Sequence, residues 1–163
     1  VAVTVATAGF SVAVNDRANT MKRIKGGVKY TIASLLELPK LRRYPVSMTL
    51  DGVVHDIEAN VIAVANTRYF GGGMQIAPNA ALNNGQLDVV VVGPAPRLAF
   101  AVLLPTIFSG RHIASRYVTV HRASTVEFTG AALDIRADGE MFGAMPTTLT
   151  VRPQSLLVAG LTI

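Results

Sequence analysis

The chain has no cysteine and no tryptophan in 163 residues, and aromatic residues make up only 6% of it. Without cysteine it can form neither a disulfide nor a thiolate metal site. The low aromatic content and the lack of any sequence signature of an RNA- or DNA-binding module argue against a dedicated nucleic-acid binder. We therefore expect no nucleic-acid partner.

Several other patterns are also missing. No run reaches the roughly 20 apolar residues of a membrane-spanning helix. The apolar first 14 residues are interrupted by glycine and threonine and lack a basic leader, which predicts a first strand or hairpin rather than a signal peptide. Because the chain begins at Val1 instead of methionine, we interpret it as a fragment or a processed form. P-loop and GxSxG motifs are absent, and His55, His112 and His121 lack metal-ligand spacing.

The composition favours a single globular domain, because half of the residues are hydrophobic and the length is ordinary for one core. The net charge of +5 is concentrated in residues 17–43, where eight basic side chains stand against Glu37 alone. These are Arg17, Lys22, Arg23, Lys25, Lys29, Lys40, Arg42 and Arg43. Such a segment can face an anionic membrane, where each basic residue contributes ~1 kcal/mol, or it can be a solvated helix surface.

Three segments have helical patterns. Asn15-Asp16 is a plausible N-cap for a basic helix over about 16–24. Apolar residues at i, i+4, i+7 and i+8 predict a second helix over about 27–38 whose apolar face packs on a sheet; they are Val28, Ile32, Leu35 and Leu36. A third helix is predicted over about 96–108, mostly buried and including Leu98 and Val102.

The remaining apolar runs are short and are separated by turn residues, which predicts an all-β sandwich. Asp51-Gly52 predicts a hairpin turn between a strand starting at Tyr44 and a return strand over His55–Ala65. The run from Leu87 to Val92 predicts a buried strand. Further strands are predicted at Tyr117–His121, Val126–Thr129, Leu133–Arg136, Thr148–Val151 and Leu156–Ala159.

Two further stretches admit both a structural and a chemical interpretation. Gly71, Gly72 and Gly73 let the backbone adopt positive φ or approach a ligand closely, but a strand, bulge and turn would need them equally. Asp138 and Glu140 lie at i and i+2 on a second Asp-Gly turn. The turn can be purely structural, or one carboxylate can accept a proton from a hydroxyl that attacks a phosphoryl group.

Longer matches point to a family. RYFGGGMQIAPNAALNNGQLDVVVV (68–92) closely resembles the start of the C-terminal half of bacterial lipid kinases of the diacylglycerol kinase family, which includes sphingosine kinases and is related to NAD kinases. LDIRADGE (133–140) resembles that family's Asp-Gly-Glu segment, and RPQSLLV (152–158) its final strand. The resemblance implies a mainly β fold, the antiparallel β-sandwich of the NAD kinase/diacylglycerol kinase-like C-terminal domain, with two or three helices. It also implies that residues 1–163 are one substrate-side domain, without the N-terminal ATP-binding domain.

The resemblance implies a function as well. The full-length enzyme would use ATP and Mg²⁺ to phosphorylate a lipid hydroxyl, with diacylglycerol as the expected substrate, and this chain alone would be inactive. The alternatives are a kinase for a sphingoid base or NAD, or a non-catalytic basic membrane-docking module. The expected partners are the lipid, an anionic membrane surface and the missing domain. A homodimer stays open, and the expected location is cytoplasmic and peripherally membrane-associated.

The same resemblance assigns candidate site residues. Asp138 would be the general base, and Glu140 would orient it or act as the base itself. Apart from the resemblance, Gly71, Gly72 and Gly73 are candidates for cofactor binding, because their backbone can approach a ligand closely. Ala81, Asn84 and Gln86 correspond to a loop that holds a structural Mg²⁺ in many members. Asn84 replaces the expected aspartate there and supplies no charge, so we expect this metal site to be weakened or absent.

Overall fold

The computed structural model describes residues 4–24, 26–130 and 133–155, which form ten strands and three α-helices. The strands are β1 (Val5–Gly9), β2 (Tyr44–Leu50), β3 (Val53–Ala59), β4 (Val61–Ala65), β5 (Leu87–Val92), β6 (Val118–Ala123), β7 (Thr125–Gly130), β8 (Asp134–Ala137), β9 (Glu140–Ala144) and β10 (Thr147–Thr150). The helices are α1 (Phe10–Thr20), α2 (Gly27–Glu37) and α3 (Arg97–Thr106), with 3₁₀ segments at Leu38–Lys40, Ile107–Ser109 and Arg111–Ala114.

The strands form two antiparallel sheets. The larger sheet has the order β6-β5-β4-β1-β8-β9, and the smaller sheet has the order β10-β7-β2-β3. The predicted mainly β sandwich with three helices is therefore confirmed. The strand β9 was not predicted, and the predicted strand Leu156–Ala159 lies outside the described residues.

The central strands β1, β4 and β5 of the six-stranded sheet are buried on both faces, so two cores form. Leu87, Val89 and Val91 of β5 face the smaller sheet, where Met48 and Phe128 complete the first core. The alternate valines of β5 face the helices and belong to the second core, together with Phe10 and Phe100 among others. Because every side chain of β5 is buried, its sequence is a continuous apolar run, as predicted for a strand covered on both sides.

Asn60 is the corner at which the chain passes from the smaller sheet to the larger one. Its side-chain amide donates to the Arg42 carbonyl at 2.8 Å and accepts from the Ala95 amide at 2.8 Å. Its backbone bonds with Val92 at 2.7 Å and with Phe10 at 2.9 Å. The prediction of one continuous return strand over 55–65 was therefore wrong. The chain is divided at this buried asparagine, each of whose four polar atoms has a hydrogen-bond partner, as is usual for a buried polar residue.

The first helix differs from the prediction. It begins at Phe10 rather than near residue 16, and it ends at Thr20 rather than near residue 24. Asn15 and Asp16 therefore lie within α1 and are not an N-cap. The alternating apolar residues before them resembled a strand, whereas the chain turns into a helix at Phe10, whose N–H donates to the Asn60 carbonyl.

The helices α2 and α3 turn unexpected faces to the core. The residues of α2 that are buried are Ala33, Ser34 and Glu37, and Glu37 forms ion pairs with Arg17 and Lys40. Of the predicted packing residues of α2, Ile32 is half-buried, whereas Val28, Leu35 and Leu36 are exposed. We call these three, together with Leu98 and Val102 of α3, the apolar helix face; the five side chains are 52–80% exposed. In α3 the buried residues are Phe100 and Leu103.

Candidate functional site

A cavity of about 380 Å³ lies between the helices and the six-stranded sheet. It follows β1, because Val5 at the start of that strand lines it and so does Val61, which pairs with Gly9 at the other end. Four residues of a strand span about 13 Å. Side chains from all three helices complete a mostly apolar wall, and Phe10 and Phe100 meet edge to face within it, 5.1 Å apart. The volume lies in the range of small-molecule sites.

Polar groups collect at the end of the cavity where β1 begins. Asp138 lies there, at the tip of the β8–β9 hairpin, because Ala137 pairs with Glu140 across a two-residue turn. Its Oδ1 accepts a hydrogen bond from the Thr4 amide at 2.8 Å, from the Thr4 hydroxyl and from the Val5 amide at 3.4 Å. Its own N–H donates to the Val5 carbonyl at 3.1 Å. The carboxylate is thus held in one orientation beside the cavity.

Glu140, the other predicted catalytic residue, has a different environment. It is exposed at the start of β9 and is not part of the cavity wall. Within the described residues its carboxylate makes no hydrogen bond or ion pair. The sequence placed the two carboxylates on one turn, and the structure gives only Asp138 direct access to the cavity.

The helix α1 holds the acidic turn from the other side. Asn15 donates from its side chain to the Gly139 carbonyl at 3.0 Å. Asp16 forms an ion pair with Arg136, which precedes the turn on β8. Asn15, Arg136 and Thr4 all line the cavity, and none was a predicted site residue. The sequence offered one signal for Arg136: a charged residue stands between Ile135 and Ala137 within a predicted strand.

The predicted glycine site forms part of the wall rather than a strand. Gly71 lines the cavity, whereas Gly72 packs against Gly27 at the start of α2. A Cβ on Gly72 would lie 2.7 Å from the Gly27 Cα, so no side chain fits there. A short bridge between Phe70 and Met74 closes the loop. The structure therefore gives Gly72 a packing role, whereas a Cβ on Gly73 would meet no atom within 4 Å. The predicted role of the three glycines in cofactor binding stays a prediction.

His112 fixes the segment after the glycines. It is buried, and its Nε2–H donates to the Ile76 carbonyl at 3.0 Å. Its Nδ1 is buried without a partner among the described residues. Burial lowers the pKa of His112, and the bond to Ile76 opposes that shift in part. The neutral imidazole of His112 therefore links Ile76 in the cavity wall to the 3₁₀ segment Arg111–Ala114.

The predicted magnesium loop offers a poor donor set. Asn84 Oδ1 already accepts a hydrogen bond from the Gln86 amide at 2.9 Å, and the side chain is exposed. No residue from Ala81 to Gln86 is acidic, whereas Mg²⁺ prefers carboxylate oxygens. These residues do not fit a dedicated Mg²⁺ site. In the described ranges, no three His, Cys, Asp or Glu side chains gather into a metal-binding group.

These features define a class: a β-sandwich with a helical layer, a mainly apolar cavity of about 380 Å³ beneath that layer and an anchored aspartate at its polar end. A family model described as the YegS C-terminal NAD kinase beta sandwich-like domain matches residues 4–160. The chain belongs to this family of lipid kinase C-terminal domains.

Individual relatives agree with this assignment. A diacylglycerol kinase of Mycobacterium tuberculosis is 38% identical over 156 residues, 95% of this chain and 50% of that protein. A probable lipid kinase YegS-like protein of Shewanella frigidimarina is 27% identical over 94% of the chain and 50% of its own length. The crystal structure of a putative diacylglycerol kinase from Bacillus anthracis superposes with a TM-score of 0.64 at 20% identity, covering 91% of this chain and 50% of that one.

The matches cover only part of each relative. The chain spans about half the length of the curated relatives it matches. In the described part of the chain, no helix combines the length and apolar character that crossing a bilayer would require.

Proposed function

We propose that this chain is the substrate-side domain of an ATP-dependent lipid kinase, with diacylglycerol as its substrate and phosphatidic acid as its product. One observation carries the proposal: Asp138 is held by three hydrogen bonds at the polar end of a cavity whose other walls are mainly apolar. A hydroxyl attached to acyl chains matches this distribution of polar and apolar surface. The kinase names of the relatives support the same reaction.

The residues of this chain would act by positioning and by proton transfer. The acyl chains fill the space between β1 and the helices, which brings the lipid hydroxyl to the Asp138 carboxylate. The carboxylate accepts the hydroxyl proton as the oxygen forms a bond to the γ-phosphorus of ATP and the bond to the departing ADP breaks. Mg²⁺ bound with ATP would neutralise charge on the phosphates. Glu140, outside the cavity, would orient the turn.

The nucleotide would be held by a second, N-terminal domain, which the half-length coverage of the relatives supports. Phosphoryl transfer depends on holding both substrates in line. We therefore expect no kinase activity from residues 1–163 alone. The alternative substrates are a sphingoid base and NAD. NAD fits the apolar cavity less well, because its surface is mainly polar and charged.

The test is a phosphorylation assay of the full-length protein with radiolabelled ATP. Diacylglycerol, sphingosine and NAD are supplied separately, and products are separated by thin-layer chromatography. We expect label in phosphatidic acid. Label only in sphingosine phosphate or NADP would show that sphingosine or NAD, and not diacylglycerol, is the substrate. Label in no product would refute the kinase proposal.

A membrane surface is the proposed location of the reaction. The apolar helix face exposes five large aliphatic side chains on α2 and α3. Lys22 and Arg23 are exposed just before α2, and Lys29 lies within it. Exposed apolar area beside basic residues matches the chemistry of an anionic bilayer surface.

Vesicle flotation tests this location. The double variant Leu35→Gln, Leu36→Gln should reduce recovery with phosphatidylserine-containing vesicles, because it removes apolar contact. The matched control is Val53→Gln, Val54→Gln on β3, where two valines are similarly exposed but lie on the smaller sheet. Equal losses in both variants, or equal binding with and without phosphatidylserine, would contradict the proposal.

A further inference from the structure

The cavity between the helices and the six-stranded sheet has an open end. Among the described residues that line it, Tyr69, Asp138 and Gly139 are exposed. Tyr69 belongs to the loop after β4, and this loop leaves the sheet where β1 begins, because the Asn66 N–H donates to the Thr4 carbonyl at 2.8 Å. The exposed lining residues therefore mark the mouth of the cavity, at the end where β1 begins.

The opposite end of the cavity is closed by buried apolar side chains. Phe10 follows directly after β1. Val61 pairs with the last residue of β1 and with Val92 of β5, so both valines lie at the same end of the sheet. Phe100 of α3 packs edge to face on Phe10. All four side chains line the cavity, and none is more than 8% exposed.

The closed end is held in place through Asn60. Its N–H donates to the Val92 carbonyl at 2.7 Å, and its carbonyl accepts from the Phe10 N–H at 2.9 Å. Its side chain accepts from the Ala95 amide, close to the start of α3. The edge-to-face contact adds a directional interaction between Phe10 and Phe100. Because closely packed interiors accommodate an extra methylene only at a cost, the closed end does not recede before a longer ligand.

We propose that Phe10 and Phe100 set the length of the acyl chain that the protein accepts, by closing the cavity at the end opposite Asp138. The inference rests on the proposed function, because it takes the hydroxyl to lie at Asp138 and the chain to extend along β1. Until a chain reaches the two rings, each added methylene is buried and improves binding about fourfold. Beyond that length, a further methylene moves the hydroxyl away from Asp138.

The test measures binding without ATP as a function of chain length. A fluorescent diacylglycerol is bound to the full-length protein and displaced by 1-monoacylglycerols with progressively longer saturated chains, from octanoyl to stearoyl. For the wild type we expect the affinity to rise about fourfold per methylene up to a limiting length and then to stop rising. Phe100→Leu should move this limit to longer chains, and Phe100→Ala should move it further, because each leaves more space at the closed end.

Phe128→Leu and Phe128→Ala are the matched controls. Phe128 is as buried as Phe100, but it packs between the two sheets and does not line the cavity. The controls lose the same ring and share any general loosening of the fold, yet they should keep the wild-type limit. An equal shift in both series, a wild type without a limit, or a folded Phe100→Leu with an unchanged limit would overturn the inference. The leucine pair decides the outcome where the alanine variants do not fold.

A kinase assay with symmetrical diacylglycerols of the same acyl chains distinguishes this inference from the proposed reaction. Beyond the limiting length, kcat of the wild type should fall at least about tenfold through misplacement of the hydroxyl, and Phe100→Leu should restore it. A limit in binding that moves only with Phe100 supports the inference even if no lipid is phosphorylated, in which case the proposed reaction alone fails. Equal rates for all chain lengths, or no displacement by any monoacylglycerol, would refute the inference even if the kinase is active.

Discussion

Asp51-Gly52 and Asp138-Gly139 are two turns with the same local structure. In both, the aspartate has a positive φ, 45° and 53°, and the glycine follows at 90° and 86°. Each carboxylate accepts hydrogen bonds from a hydroxyl residue and from the next amide along the chain. For Asp51 these are Ser124 and Thr125, at 2.7–3.1 Å; for Asp138 they are Thr4 and Val5.

What differs is the surroundings of the two carboxylates. Asp51 connects β2 to β3 in the smaller sheet, and its bonds fix the junction of β6 and β7. Asp138 has the same kind of anchor but lies at the cavity, with Arg136 and Asn15 beside it. An anchored aspartate on a turn is therefore a structural feature by default. It becomes a candidate base only where the fold places a substrate-sized space next to it.

The largest expected effect comes from exchanging each aspartate for asparagine, which also tolerates positive φ. Asp138→Asn should reduce kcat of the full-length protein by about 10²- to 10⁴-fold, because the amide cannot accept the proton. Asp51→Asn should leave kcat within about twofold. Kinase assays with dioctanoylglycerol measure both. Full activity of Asp138→Asn would place the base elsewhere, and a comparable loss in Asp51→Asn would remove the distinction between the turns.

Glu140→Gln tests whether the two carboxylates of the acidic turn have different roles. Because Glu140 is exposed and outside the cavity, we expect kcat to fall only about tenfold, through loss of electrostatic orientation. The same assay decides the assignment. A loss as large as that of Asp138→Asn, with the protein still folded, would transfer the role of base to Glu140.

Removing the hydroxyl donors should separate catalysis from stability. Ser124→Ala should lower the free energy of unfolding by about 1 kcal/mol and leave kcat unchanged. Thr4→Ala should cost a similar amount and also reduce kcat several-fold, because the Asp138 carboxylate loses part of its anchor. Urea denaturation and kinase assays provide the two measurements. Identical kinetic behaviour of the two variants would contradict the assigned difference.

The smallest expected effect is on the free energy of unfolding at acidic pH. Hydrogen bonds, first that from the Ser124 hydroxyl, lower the pKa of Asp51 in the folded protein. Its stabilising contribution is therefore complete above the ordinary aspartate pKa of about 3.9, and is lost as the pH falls through the lower folded value. Chemical denaturation between pH 2.5 and 6 should show a shallower acid loss for Asp51→Asn than for the wild type. Parallel profiles would exclude this contribution.

Much of the sheet architecture could be predicted from the sequence, because turn residues and apolar runs are local patterns. The Asp51-Gly52 hairpin, the valine strand and the acidic turn form where turn residues and apolar runs predict them. The passage of the chain from one sheet to the other at Asn60 could not be predicted. Alternation continues from Ile57 to Ala65 without interruption, yet Ile57 packs between the sheets and Ala63 packs under the helices.

The orientation of the helices was not accessible for a related reason. Periodicity identifies an apolar face on α2 but does not say whether that face packs on the core. Here Glu37 is buried because Arg17 and Lys40 pair with it, and the aliphatic face is left outside. The position of Asp138 came from the family resemblance. Thr4, which bonds to Asp138, and Asn15, which bonds to the neighbouring Gly139, lie more than 120 positions away in the sequence, where no local pattern links them.

The contact between Gly27 and Gly72 has a consequence for the mutational tolerance of the protein. A Cβ on either residue would lie 2.7 Å from backbone atoms of the other, and neither residue can become smaller to make room. No compensating exchange exists, so each position should reject every replacement independently of the other. Saturation mutagenesis would then reveal two intolerant sites that touch no reacting atom. At either site, any added carbon would displace the first turn of α2 and, with it, one wall of the cavity.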